Sequence, residues 1–174
     1  MDELAIRPAT REDCFDIGHR LRPDDYLELR HTFGADADPG WTLDSLRLAQ
    51  PASTHTLYIG GERCAIGGCP ESRPGIGVPW LIGTDHITKN RFTFHYLAKK
   101  VLEHWRVEYD FLSNVVWKGS GSVRWLKRLG FQVDSEISHV TPSGGEFVRF
   151  SMIGENSKCV PHNSPSLQSK QVGK

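Results

Sequence analysis

The sequence offers little that would place the chain in a membrane, in a disulfide scaffold or on nucleic acid. No run approaches the roughly 18 consecutive apolar residues of a membrane span. The opening Met-Asp-Glu-Leu-Ala-Ile-Arg is acidic and strand-like rather than leader-like. A cytoplasmic protein without a membrane partner is the expectation. The cysteines Cys14, Cys64, Cys69 and Cys159 include no Cys-x-x-Cys pair, so reduced, mostly buried thiols are expected. Neither charge is in excess, with 21 Lys and Arg against 21 Asp and Glu. No global field draws the protein to nucleic acid, and an anion site has to be built locally. No two histidines stand four apart beside a carboxylate, and the nine-residue steps between His86, His95 and His104 do not keep one helical face, so no metal site is expected. From Gly154 onward the chain has no aromatic residue and is rich in Ser, Pro, Gln, Asn and Lys. It buries too little to offset its ordering entropy and reads as a flexible polar tail over residues 154–174, behind one domain over residues 1–153.

What is present is enough for one core: 174 residues, 38% hydrophobic and 24% charged. Leu4-Ala5-Ile6 predicts a strand, and Thr10-x-x-Asp13 a capping-box start for a helix ending before Pro23. A second helix from Asp24 carries Tyr26, Leu27, Leu29 and Phe33 and stops at Gly34. Thr42 is expected to cap a third with Leu43, Leu46 and Leu48, and Trp41 to staple it or to border a cleft. The β-branched run 54–59, the Gly60-Gly61 turn and Cys64-Ala65-Ile66 predict a hairpin. Residues 67–77 read as a loop between strands. The apolar run 78–83 reads as a central strand with an irregularity at Pro79, which has no N–H to give to a ladder. Phe94, Leu97, Ala98, Val101, Leu102, Trp105 and Tyr109 hold helical spacing, predicting a long amphipathic helix over about 88–109. A strand at 111–117, a helix at 120–129 stopped by Gly130, and strands at 131–133 and 146–152 complete an α/β (α+β) order. A mixed sheet with helices on both faces is its simplest architecture.

The stretch 111–131, Phe-Leu-Ser-Asn-Val-Val-Trp-Lys-Gly-Ser-Gly-Ser-Val-Arg-Trp-Leu-Lys-Arg-Leu-Gly-Phe, resembles the unit that closes the acetyl-CoA cleft of GNAT acetyltransferases. The element order resembles that fold over roughly residues 3–152. The phrases Pro79-Trp80-Leu81-Ile82-Gly83-Thr84-Asp85 and Leu112-Ser113-Asn114-Val115-Val116-Trp117 look like GNAT-like proteins of tailed bacteriophages, some described as internal virion or morphogenesis proteins. The resemblance implies a mixed, mostly antiparallel sheet of six to seven strands, with helices on both faces and a V-shaped splay between its fourth and fifth strands. It implies acetyl-CoA as co-substrate and an amine acceptor, with Leu81, Ile82, Gly83, Thr84 and Asn114 along the cofactor arm. Where the family carries a glycine-rich pyrophosphate loop, this chain reads Thr84-Asp85-His86-Ile87-Thr88-Lys89-Asn90 without a glycine. Lys89, Asn90 and Arg91 are side-chain substitutes for it, or else they are solvated and Asp85 or Thr88 caps the helix. The family's general-acid Tyr falls on Leu126 and its turn Asn on Gly119. Asp85 and His86 are the nearest candidates for a catalytic base, with cap and surface roles as their alternatives. A phage-type N-acetyltransferase is one implied role, in the bacterial host cytoplasm. A non-catalytic scaffold for a virion or host protein, acting there or in the virion, is the other.

Overall fold

In a computed structural model that describes residues 4–157, the first strand β1 (Leu4–Pro8) leads into three helices, α1 (Arg11–Gly18), α2 (Pro23–Phe33) and α3 (Pro39–Ala49). Thr10 caps α1 as its sequence predicts, its Oγ1 accepting from Asp13 N–H at 3.2 Å while Asp13 Oδ2 accepts from Thr10 N–H at 2.9 Å. Asp38 caps α3, not Thr42. Its Oδ1 accepts from Trp41 N–H and Pro39 opens the helix, which leaves the Thr42 hydroxyl bonded back to Asp38 C=O. Trp41 is exposed and staples α3 to α1, edge-on to Phe15 at 5.1 Å.

The strands β2 (His55–Ile59) and β3 (Glu62–Gly68) form the predicted hairpin, with Gly60 and Gly61 at φ +62° and +78°. The expected loop after β3 contains two short strands, β4 (Glu71–Arg73) and β5 (Ile76–Gly77), and β6 (Trp80–Gly83) follows at once. The expected single helix is divided into α4 (His86–Lys89) and α5 (Arg91–Glu108). At the break Asn90 leaves helical geometry, and its Nδ2 donates to His86 C=O at 3.1 Å, closing the first turn. The last elements are β7 (Phe111–Trp117), α6 (Ser122–Leu129), β8 (Gln132–Val140) and β9 (Glu146–Ile153). Gly130, at φ +101°, ends α6 in the left-handed conformation, and Phe131 N–H reaches back to Leu126 C=O. The strand expected at 131–133 continues to Val140 because it pairs with β9 along its length.

The strands form two sheets, β1-β2-β3-β6 and β4-β5-β7-β9-β8, antiparallel except for β5 against β7. Residues 76–83 are one run that changes sheets. Its first part pairs with β7 and its second with β3, and the change falls at Val78-Pro79. This is the predicted irregularity, and it is the apex of a V between β6 and β7. Because strand residues alternate in face, Ile66 joins Cys14, Ile17 and Leu43 beneath α1 and α3. Ala65 joins Leu57, Ile87 and Phe94 beneath α5. On the second sheet Leu112, Val116 and Phe150 pack with Leu102 and Leu126. Trp125 touches the clusters of both sheets.

Cys14, Cys64 and Cys69 are buried free thiols, as expected. Residues 154–156 continue along the α5 end: Gly154 N–H donates to Asp110 C=O, Glu155 N–H to Arg106 C=O, and Asn156 Nδ2 to Val107 C=O. The rest of the expected tail, with Cys159, lies outside the described residues. Among the described residues no helix is long and apolar enough to cross a membrane, and no cluster of three or more His, Cys, Asp or Glu is placed to hold a metal.

Candidate active site

The V opens into a cavity of about 910 Å³ that passes between the sheets, with α5 and α6 on one face and α2 on the other. Its apex is tied by Asn114, whose Nδ2 donates to Pro79 C=O at 3.1 Å while its Oδ1 accepts the Val115 N–H at 2.8 Å. That side chain joins the two arms and covers a ladder N–H that the splay leaves open. Asn114→Ala would strand both groups and is expected to cost about 1–3 kcal/mol, read as a lower urea midpoint.

The β6 edge facing the cleft follows from strand alternation. Thr84 N–H bonds to Cys64 C=O at 2.8 Å on the β3 side. Leu81 and Gly83 therefore turn their backbone groups toward the V. Gly83 is already engaged, its N–H donating to Asp25 Oδ2 at 2.7 Å and its C=O accepting from Arg22 N–H at 3.0 Å. Leu21 makes a β-bridge with Thr84 just beyond. The Leu81 N–H and C=O have no partner among the described residues, and Leu81, Ile82 and Asn114 line the cavity.

The helix α2 lies across the mouth. Asp24 Oδ2 accepts from Gly121 N–H at 2.8 Å, after β7, while Asp25 holds Gly83 at the end of β6, so adjacent carboxylates grip the two arms. Farther along, His31 Nδ1 meets Ser143 Oγ at 2.9 Å in the β8–β9 turn, and its ring lies 5.4 Å from that of Trp117. Asp25 is 4% exposed and receives Arg22 Nε and Nη2 at 2.9 and 2.8 Å. Burial raises its pKa, against the opposing pull of Arg22 and the Gly83 N–H. Glu28, one turn on, lines the cavity. Burial first and the Asp25 charge second push its carboxyl up to about 7, against the Trp117 N–H that favours the anion. A carboxylate poised there can take a proton from an ammonium near neutral pH.

The residues after β6 lie elsewhere. Thr84 is buried, its hydroxyl donating to Cys64 C=O and accepting from His86 N–H, so it caps α4 in place of Asp85 or Thr88. Asp85 is exposed, and neither it nor His86, Lys89 or Asn90 lines the cavity. Amides 87–90 donate to the carbonyls of Thr84, Asp85 and His86, and the His86 amide to Thr84 Oγ1, which leaves no run of free amides in this turn for a pyrophosphate. The first free amides are those of Arg91, Phe92 and Thr93 at the α5 N-terminus, beside the Arg91 and Lys89 side chains.

Glu28 and the contact of Arg22 and Asp25 with Gly83 escaped the sequence reading because the apolar residues of α2 mislead. Tyr26, Leu27 and Phe33 are 40%, 40% and 48% exposed, and the inward face is Asp25, Glu28 and Leu29. The available signal was the spacing of Asp24, Asp25 and Glu28 beside Leu29, which sets carboxylates next to the apolar residue of this helix that is fully buried.

No family model and no curated protein matches the chain. Solved structures do match its fold. The GNAT-family acetyltransferase of Bacillus anthracis superposes with a TM-score of 0.66 at 10% identity, over 88% of this chain and 96% of that one. The SpeG spermidine N-acetyltransferase of Vibrio cholerae gives 0.61 at 11%, over 86% and 93%. The yncA protein of Salmonella typhimurium, solved with its cofactor acetyl-CoA, gives 0.60 at 12%, over 95% and 99%. The arrangement of strands and helices among the described residues is thus that of the GNAT fold.

Proposed function

We propose that the protein is an N-acetyltransferase that moves an acetyl group from acetyl-CoA to an amine within the V between β6 and β7. The observation that carries this reading is the juxtaposition, in one cavity, of a free strand edge at Leu81 and a carboxylate of raised pKa at Glu28. The Leu81 N–H is a donor for the thioester carbonyl, where negative charge develops during attack. Glu28 removes one proton from the arriving ammonium, and the freed nitrogen lone pair forms the N–C bond as the C–S bond breaks. Leu126, buried and apolar, cannot protonate sulfur. The leaving thiolate takes the proton shed by the new amide nitrogen. Ile82, Gly83, Thr84 and Asn114 flank the donor arm. Lys89, Asn90 and Arg91 lie toward its phosphates at the start of α5, where dipole and side chains act together. Asp85 and His86, outside the cavity, are assigned no proton transfer. Leu29 and Phe33 of α2 line the same cavity as Glu28, which suits an amine with an apolar substituent.

Isothermal calorimetry tests the reading. Acetyl-CoA is expected to bind saturably in the micromolar range or weaker, with affinity lowered several-fold in the double variant Lys89→Ala and Arg91→Ala. Absence of heat up to millimolar acetyl-CoA, in the wild type and also in Asp25→Ala, which uncovers the Gly83 N–H, refutes it. That outcome favours the second reading, a non-catalytic scaffold of the kind proposed for a virion or host protein; the engaged amides of α4 and the covered Gly83 edge support only its non-catalytic part.

A further inference from the structure

We propose that the segment from Leu21 to Asp25 is an autoinhibitory strap that occupies the donor arm's place on β6, and that it must leave Gly83 before acetyl-CoA can seat. The inference rests on the acetyltransferase reading and concerns its regulation. An extended amide-bearing ligand pairs with a strand edge through alternate residues, which here are Leu81 and Gly83. The chain itself satisfies the second of these with a strand-like set of contacts: the Leu21 bridge to Thr84, Arg22 N–H to Gly83 C=O at 3.0 Å, and Gly83 N–H to Asp25 Oδ2 at 2.7 Å. Arg22 makes the set cooperative, since its guanidinium grips the carboxylate that holds Gly83. A Cβ at Gly83 would overlap Ile87 Cδ1, so the glycine packs closely against α4 while its backbone carries the strap's pairing.

The strap is hinged on one side only. Asp24 grips Gly121 on the other arm of the V, a contact that does not touch the β6 edge. Release therefore needs only the Arg22 N–H and the Asp25 carboxylate to let go of Gly83, while Asp24, in the same segment, keeps Gly121 and His31 keeps Ser143. Apparent affinity is the intrinsic affinity multiplied by the fraction of molecules with the strap released, so weakening the strap tightens binding without any new contact.

Two variants remove the strap by different atoms. Asp25→Ala deletes the acceptor of the Gly83 N–H. Arg22→Pro deletes the N–H that reaches Gly83 C=O, at a residue whose φ of −59° already suits proline. Asp24→Ala, which leaves the β6 edge covered, is the control. Calorimetry with acetyl-CoA is expected to give about tenfold or greater tightening for the first two and none for the control. Wild-type hydrogen exchange, which needs no variant to fold, is expected to quicken across residues 21–26 when acetyl-CoA is added. Equal affinities in all four proteins, or slower exchange in that segment, overturn the strap and leave the acetyltransferase reading standing. If none of the four binds acetyl-CoA, the reading falls and the strap falls with it.

Discussion

Glu28→Gln is expected to lower the rate of acetyl transfer about 10²–10⁴-fold, the range over which a positioned general base acts. The amide keeps the shape and the contact with Trp117 but cannot take a proton. In the wild type kcat/KM is expected to rise with pH and level off above about 7, the value to which burial and the neighbouring Asp25 push the Glu28 carboxyl. In the variant that rise disappears, which separates loss of the base from loss of fold. The same group acts oppositely on stability. Its folded pKa lies above its ordinary value of 4.5, so the native state binds the proton more tightly than the unfolded chain does. Its contribution is therefore full below pH 4.5 and is lost as the pH rises through about 7. Urea midpoints of Glu28→Gln and wild type are expected to diverge in the variant's favour over that interval. A parallel pair of curves counts against the assignment.

Asp13→Ala is expected to destabilise the fold by about 2–4 kcal/mol, because it leaves the buried Thr56 hydroxyl and the half-buried Tyr58 hydroxyl and Arg63 guanidinium without their shared acceptor. Asp13 is 1% exposed and accepts from Thr10 N–H, Thr56 Oγ1, Tyr58 OH and Arg63 Nε, joining α1 to β2 and β3. Burial alone would raise its pKa, but these donors outweigh it and hold the carboxyl below its ordinary 3.8. Its contribution is present above pH 3.8 and is lost as acid protonates it below that. Denaturant midpoints at pH 7, with Tyr58→Phe as a milder comparison, read the effect. A loss under 1 kcal/mol contradicts the assignment of Asp13 as the hub of these contacts.

The parts of this molecule that sequence makes legible are those whose signals are local. The Thr10 box, the Gly60-Gly61 turn, the α6 stop at Gly130 and the break at Pro79 each depend on a few neighbouring residues, and each stands where its chemistry predicts. The division of the long helix at Asn90 is hidden because the apolar stripe runs on through the interruption, which only the side-chain bond to His86 reveals. The site itself is built from partners distant in sequence: Gly83 with Asp25, Gly121 with Asp24, Asn114 with Pro79. The one local mark on Glu28 is its spacing from Asp24 and Asp25 beside Leu29, and that spacing does not reveal its pKa. Its pKa is a product of burial by elements that follow it in the chain, and the exposed aromatics of α2 draw attention to the wrong face.

The central claim is that the open edge of β6 at Leu81 receives the acyl donor. A titration of ¹⁵N-labelled protein with acetyl-CoA, followed at the Leu81 amide, tests it most directly. A saturable shift at Leu81, tracking shifts at the first amides of α5 along one binding curve, is the predicted result. A Leu81 amide that stays fixed while other sites respond, or a spectrum unchanged up to millimolar acetyl-CoA, would contradict it.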